Sequence, residues 1–141
     1  MTRLLTTAGC VCYLLCAVAA ADAFRSGNTA TARAFVAGLN TPTRAVALRL
    51  MAPSIRFRLS HEPWVRYVGP ARAAFVRNGF GTNCALRILR QTVSHRHVRA
   101  DIEERQDGGH PCTGGHQGTR VVFEFGFNGK GQVVTLSLHD E

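Results

Sequence analysis

The stretch Arg120-Val121-Val122-Phe123-Glu124-Phe125-Gly126-Phe127-Asn128-Gly129-Lys130-Gly131-Gln132-Val133-Val134-Thr135-Leu136-Ser137-Leu138 constrains this chain more than any other part of it. β-Branched and aromatic residues dominate both halves, and such side chains pack well on a pleated surface. Between the halves, Asn128-Gly129 supplies the residues that a tight turn favours. The segment is therefore expected to be a hairpin.

The preceding residues divide by period. Ala32, Phe35, Val36 and Leu39 recur at helical spacing between Thr29 and Leu39, which predicts an amphipathic helix. Thr41 offers a cap with Pro42 at the first helical position. A second, short helix then carries Val46, Leu48, Leu50 and Met51 until Pro53 stops it. Ser54 to Ser60 alternates, with Ile55, Phe57 and Leu59 against Arg56 and Arg58, the period of a half-buried strand. A loop or short strand is expected around Trp64 to Val68. Gly69-Pro70 opens a third helix with Ala71, Ala74, Phe75 and Val76 on one stripe, ended by the glycines at 79 and 81. Ala85 to Ser94 and His97 to Arg105 read as strands joined by a tight turn at His95-Arg96, and a Gly-rich loop from Gln106 to Gly118 leads to the hairpin. Helices followed by a run of antiparallel strands make the α+β pattern, with helices covering one face of a sheet.

Arg3 precedes an apolar run from Leu4 to Ala21, and Ala21-Asp22-Ala23 forms an A-x-A pattern before Phe24. This reads as a secretory signal peptide over residues 1–23, leaving one domain over 24–141 in a secreted or periplasmic location. The alternative is an uncleaved anchor, because the run is long enough to span a bilayer. Nothing later is apolar enough to cross a membrane. Of the five cysteines, Cys84 and Cys112 lie outside the leader, and an even number in an oxidising compartment points to a disulfide. The bland alternative is two unrelated buried thiols. If Ser94 pairs with His97, Cys84 falls opposite Asp107, close enough to Cys112 for a crosslink.

The net charge is +8, and all but one of the 17 basic residues are arginine. The arginines are scattered, whereas a phosphate tracker clusters them with stacking aromatics, so no nucleic-acid partner is expected. His110, Cys112 and His116 bring three possible metal ligands into one short stretch. A disulfide would consume Cys112 and no fourth ligand is evident, so neither a metal nor another cofactor is expected. His95 and His97 flank a turn and read as solvated.

The hairpin, together with Phe35-Val36-Ala37-Gly38-Leu39-Asn40, resembles the nuclear transport factor 2-like superfamily, which includes ketosteroid isomerases and SnoaL-like cyclases. The resemblance covers nearly all of residues 24–141. It implies a cone with three N-terminal helices packed on a curved, mainly antiparallel sheet, and a homodimer formed through the outer sheet face. An isomerase of this kind needs a carboxylate base and an oxyanion hole built from a tyrosine and a protonated aspartic acid. The resemblance puts Phe35 at the tyrosine, Phe123 at the aspartic acid and Leu59 near the base, with Glu62 the nearest carboxylate. Limonene epoxide hydrolases use an Asp-Arg-Asp group with a tyrosine and an asparagine. Arg99-Ala100-Asp101 matches their Arg-x-Asp, but the second aspartate falls at Leu138, and the tyrosine and asparagine fall near Phe57 and Leu59.

Two functions follow from this. The first is a non-catalytic accessory or binding domain whose cone, lined by Phe35, Phe57, Leu59, Phe123 and Leu138, takes a hydrophobic small molecule or a partner chain. The same five residues could instead fill the cone as a core. The second is a SnoaL-like enzyme in which Arg99 and Asp101, helped by His61 or Glu62, work on a hydrophobic substrate. Period-2 spacing puts Arg99 and Asp101 on one strand face, where the guanidinium can hold the carboxylate.

Overall fold

The computed structural model describes residues 26–78, 84–105 and 118–141. The expected signal peptide (residues 1–23), Cys112 and the cluster from His110 to His116 lie outside the described residues. The elements are α1 (26–39), α2 (Ala45–Leu50), β1 (Met51–Leu59), β2 (Val65–Val68), α3 (Gly69–Asn78), β3 (Ala85–Ser94), β4 (His97–Arg105), β5 (Arg120–Phe127) and β6 (Val133–Asp140). The six strands form one curved sheet in the order β2-β1-β6-β5-β4-β3. Every neighbouring pair is antiparallel except β1 and β6. The three helices cover one face of this sheet, which makes the fold α+β.

The core lies between the helices and that face. Ala32, Phe35, Val36 and Leu39 of α1 are buried there, as their spacing requires. Polar groups fasten α1 to the edge strand β3. Asn40 donates from Nδ2 to the Leu86 carbonyl (2.9 Å) and accepts the Leu86 N–H at Oδ1 (2.8 Å). One amide thus satisfies a peptide group that a neighbouring strand would otherwise serve. Arg33 Nε donates to Gln91 further along β3 (2.7 Å). α1 also lies close against α2, where a Cβ on Gly38 would stand 2.7 Å from the Ala47 nitrogen.

Several local expectations change in the fold. The second helix begins at Ala45 rather than Pro42, after Arg44 turns into the left-handed region at φ 51. Arg44 then donates from Nη1 to the carbonyls of Val76 and Arg77 (3.1 Å each), capping the last turn of α3. Burial lowers the pKa of this guanidinium from its ordinary value. Pro53 does not stop a helix; it sits inside β1. The β1–β6 register shifts between Met51 and Arg56, and β2 pairing begins only at Ser54, so the missing N–H falls where the ladder is interrupted. In α3 the buried residues are Phe75 and Val76, whereas Ala71 and Ala74 are exposed. Arg72 turns inward instead, donating from Nη1 to the carbonyls of Met51 (3.1 Å) and Ala52 (2.6 Å).

The bounds of β3 and β4 agree with their alternation. A bulge between Ile88 and Arg90 nevertheless shifts the register, so that Ala85 pairs with Arg105. The pairing expected from Ser94 and His97 is therefore off by one residue at Cys84. The terminal hairpin closes through a five-residue loop, 128–132, rather than a two-residue turn. Asn128 organises it by accepting the N–H groups of Lys130 and Gln132 at Oδ1 (3.0 Å each).

Candidate functional site

Alternation along β4 sorts the chemistry of the molecule. Val98, Ala100, Ile102 and Glu104 are buried toward the helices, while His97, Arg99, Asp101, Glu103 and Arg105 take the other face. The inner face continues through Phe123, Phe125 and Phe127 on β5, Leu136 and Leu138 on β6, and Ile55, Phe57 and Leu59 on β1, as the registers require.

Phe35 and Phe123, placed by resemblance at the isomerase tyrosine and aspartic acid, are 0% and 1% exposed. Phe125 connects them: its ring centre is 5.5 Å from that of Phe35, edge to face, and 6.0 Å from that of Phe123. Phe127 stacks on Phe125 at 6.2 Å. Such tilted and offset contacts add to the apolar burial of each ring. Phe57 packs against Phe75 at 4.7 Å, and Tyr67 stacks on the same Phe75 ring at 4.5 Å.

Exposure rises across the sheet toward β1 and β2. In the row Phe123, Leu138, Leu59, the first is buried, the second half-buried and the third 47% exposed. In the row Phe125, Leu136, Phe57, Val65, the first two are buried and the last is 48% exposed. The inner face is thus sealed at Phe35 and Phe123 and opens at Leu59 and Val65. His61 and Glu62 are exposed in the turn after β1.

Among the described residues, two buried polar side chains, Glu104 and Asn28, interrupt the hydrocarbon and were missed from sequence. Glu104 ends the inward row of β4 and is 7% exposed. Its position was legible, since it continues the alternation of Val98, Ala100 and Ile102. Asn28 is buried on α1, one turn before Ala32, and its Nδ2 has no hydrogen-bond partner among the described residues.

The outer face holds an ion network. Asp101 accepts from Arg90 Nε (3.1 Å) and Arg99 Nε (3.3 Å). Arg99 also reaches Glu124 (3.9 Å). Glu124 Oε2 meets His139 Nε2 (3.3 Å) and the Ser137 hydroxyl (3.4 Å), and the hydroxyl lies 3.1 Å from the same His139 nitrogen. A Ser-His-acid relay needs the hydroxyl and the carboxylate on different ring nitrogens, so this trio does not form one. Beside it lies an open hollow of about 320 Å³ lined by residues that include Thr92, Ser94, His97, Arg99 and Glu124. Arg99 and Asp101 are therefore together, on the side of the sheet away from Phe35 and Phe123. Among the described residues no group of three or more His, Cys, Asp or Glu could hold a metal.

No protein-family model matches the chain, and no curated protein sequence does. Solved structures do match in shape. An LEH-like epoxide hydrolase of M. tuberculosis superposes with a TM-score of 0.66 at 12% identity, over 83% of this chain and 84% of that one. An NTF2-like protein of unknown function from Burkholderia pseudomallei gives 0.64 at 16% identity, over 82% and 91%. The chain has the nuclear transport factor 2-like fold. A de novo designed protein with a curved β-sheet also matches, with a TM-score of 0.63 at 14% identity over 83% and 87% of the two chains. At such identities the likeness is one of fold. The nuclear transport factor 2-like frame here has an inner floor of phenylalanine where isomerases of this fold are expected to carry their donors.

Proposed function

We infer that this chain is an exported, non-catalytic binding domain that receives a hydrophobic small molecule where its inner face opens at Phe57, Leu59 and Leu138. One observation carries the reading: apart from Glu104 at the end of β4, the acids and bases of β4 and β5 stand on the opposite side of the sheet from the apolar rows. A steroid or epoxide lying on the inner face would meet hydrocarbon at Phe35, Phe123 and Leu59, with no general acid or base at those positions. Phe35 and Phe123 brace the floor, and the more exposed residues supply contact. An apolar side chain of a partner protein would use the same surface.

Export rests on the leader and on Cys84. This residue is buried just before β3, and the reading crosslinks it to Cys112, the other cysteine outside the leader. Dimerisation through the outer face belongs to the same reading, with a wet interface because that face is polar. Sedimentation showing monomer alone at micromolar concentration removes it.

Titration with a neutral apolar fluorophore tests the binding site. Leu59→Asp and Leu138→Asp should each weaken binding about tenfold or more, since each sets a charge against an apolar ligand. Turnover of a ketosteroid or an epoxide by the unmodified protein overturns the non-catalytic reading. Glu104 gives a second, catalytic reading its only buried carboxylate among the described residues. Turnover abolished by Glu104→Gln would establish it. Loss through Arg99→Ala or Asp101→Asn would place catalysis on the outer face instead.

A further inference from the structure

The outer face has two electrostatic halves. Over β3 to β6 four arginines meet carboxylates: Arg90 and Arg99 hold Asp101, Arg105 holds Glu103 (2.7 Å) and Arg120 reaches Glu141 (3.7 Å). Over β1 and β2 the arginines Arg56, Arg58 and Arg66 have no carboxylate partner among the described residues. Arg56 and Arg66 stand directly opposite each other in the antiparallel pair, the register at which like charges repel most. Arg58 follows on the same face of β1. Its Nε is buried without an acceptor among the described residues. Trp64, the single tryptophan, holds this crowd together, with the Arg58 and Arg56 guanidiniums 4.7 Å and 5.5 Å from its ring centre. Arg66 Nε is steadied by Ser54 Oγ (2.8 Å).

The cationic patch borders an open edge. β2 is the terminal strand of the sheet and pairs only with β1 among the described residues. Its outer row of peptide groups is available to another strand, and Val65 and Val68 are each 48% exposed. Three guanidiniums without counter-charge, an exposed indole and a free strand edge require the same ligand: an extended chain with carboxylates on one side.

We propose that β2 docks an acidic, extended segment of a partner protein, which adds a strand beyond β2 and sets its carboxylates against Arg56, Arg58 and Arg66. Main-chain hydrogen bonds to Val65–Val68 supply the register, and period 2 then dictates the sequence of the segment. Acidic residues alternate with apolar ones, the acids facing the arginines beside Trp64 and the apolar residues facing the side of Val65 and Tyr67. A nucleic acid would bring anions but no strand. An anionic membrane would leave the edge amides unpaired. Because the arginines lie on the outer face, failure of the apolar site at Leu59 leaves this site untouched.

Trp64 reports on its own site. A short peptide alternating glutamate with valine is titrated into the purified protein while its fluorescence is followed, with a lysine–valine peptide, phosphatidylglycerol vesicles and a single-stranded oligonucleotide as comparisons. The expected result is a saturable change with the acidic peptide alone, weakened about tenfold in the Arg56→Gln/Arg66→Gln variant and by raised salt. Amide exchange should slow across Val65–Val68 in the complex. Ligand-free Arg66→Gln should keep or raise the thermal midpoint, because it relieves the opposed charges. A response from vesicles or oligonucleotide without one from the peptide overturns the proposal. So do equal affinity in the double variant, unprotected β2 amides, or a lowered midpoint in Arg66→Gln.

Discussion

The two faces of β4 and β5 differ by one residue of chain and by most of their physics. Toward the helices, Val98, Ala100, Phe123 and Phe125 are packed to near-complete burial. Toward solvent, Arg99, Asp101 and Glu124 exchange charge, with side chains 49%, 14% and 41% exposed. On the inner face the cost of change is set by volume and packing, which salt does not screen. On the outer face it is set by pairings that water and ions weaken. The difference teaches where this fold can tolerate change, and also that Arg99, Asp101 and Glu124 lie on the far side of the sheet from the phenylalanines.

The comparison can be broken at four points. Phe125→Ala should have the largest effect, about 3 to 5 kcal/mol of stability by urea unfolding, because the ring touches Phe35, Phe123 and Phe127 together. A loss below about 1 kcal/mol would mean that the inner face collapses around the gap and is less rigid than its packing implies.

Gly126→Ala tests whether the outer face also contains a volume-limited spot. A Cβ there would overlap Thr135 Oγ1, so about 1 to 3 kcal/mol should be lost, and Thr135→Ala in the same chain should restore most of it. Failure of that rescue would move the cause to the adjoining register shift between Gly126 and Phe127. Asn40→Ala should cost about 1 to 2 kcal/mol, since both peptide groups of Leu86 lose their partner while staying partly buried. Amide exchange at Leu86 should rise with it. Asp101→Asn should have the smallest effect, about 1 kcal/mol or less, because its arginine partners are 71% and 49% exposed. That loss should vanish in molar salt, where the Phe125→Ala loss persists.

Part of this architecture is legible in the sequence. The limits of β3 and β4 follow from local alternation, and the stripe Ala32, Phe35, Val36 and Leu39 from helical period, because both patterns are decided within a few residues. What α3 presents to the sheet was not readable this way. Its stripe suggested Ala71 and Ala74, yet Arg72 turns inward because two carbonyls of β1 await its guanidinium, and those carbonyls belong to another element. Pro53 looked like a helix stop for the same reason: nothing local announces that a ladder will be interrupted where its N–H is missing.

The candidate site divides along the same line. The sequence by itself determined that Arg99 and Asp101 share a strand face and that Phe35, Phe57, Leu59, Phe123 and Leu138 are apolar. Period 2 fixes which residues go together but is silent on which side the helices will cover, and only the tertiary structure decided that Ala100, rather than its neighbours, faces them. Exposure was decided there too. Leu59 and Phe123 are equally apolar in sequence, yet one stands near the open edge of the sheet and the other under α1, because strand order and helix placement arise from contacts among residues far apart in the chain.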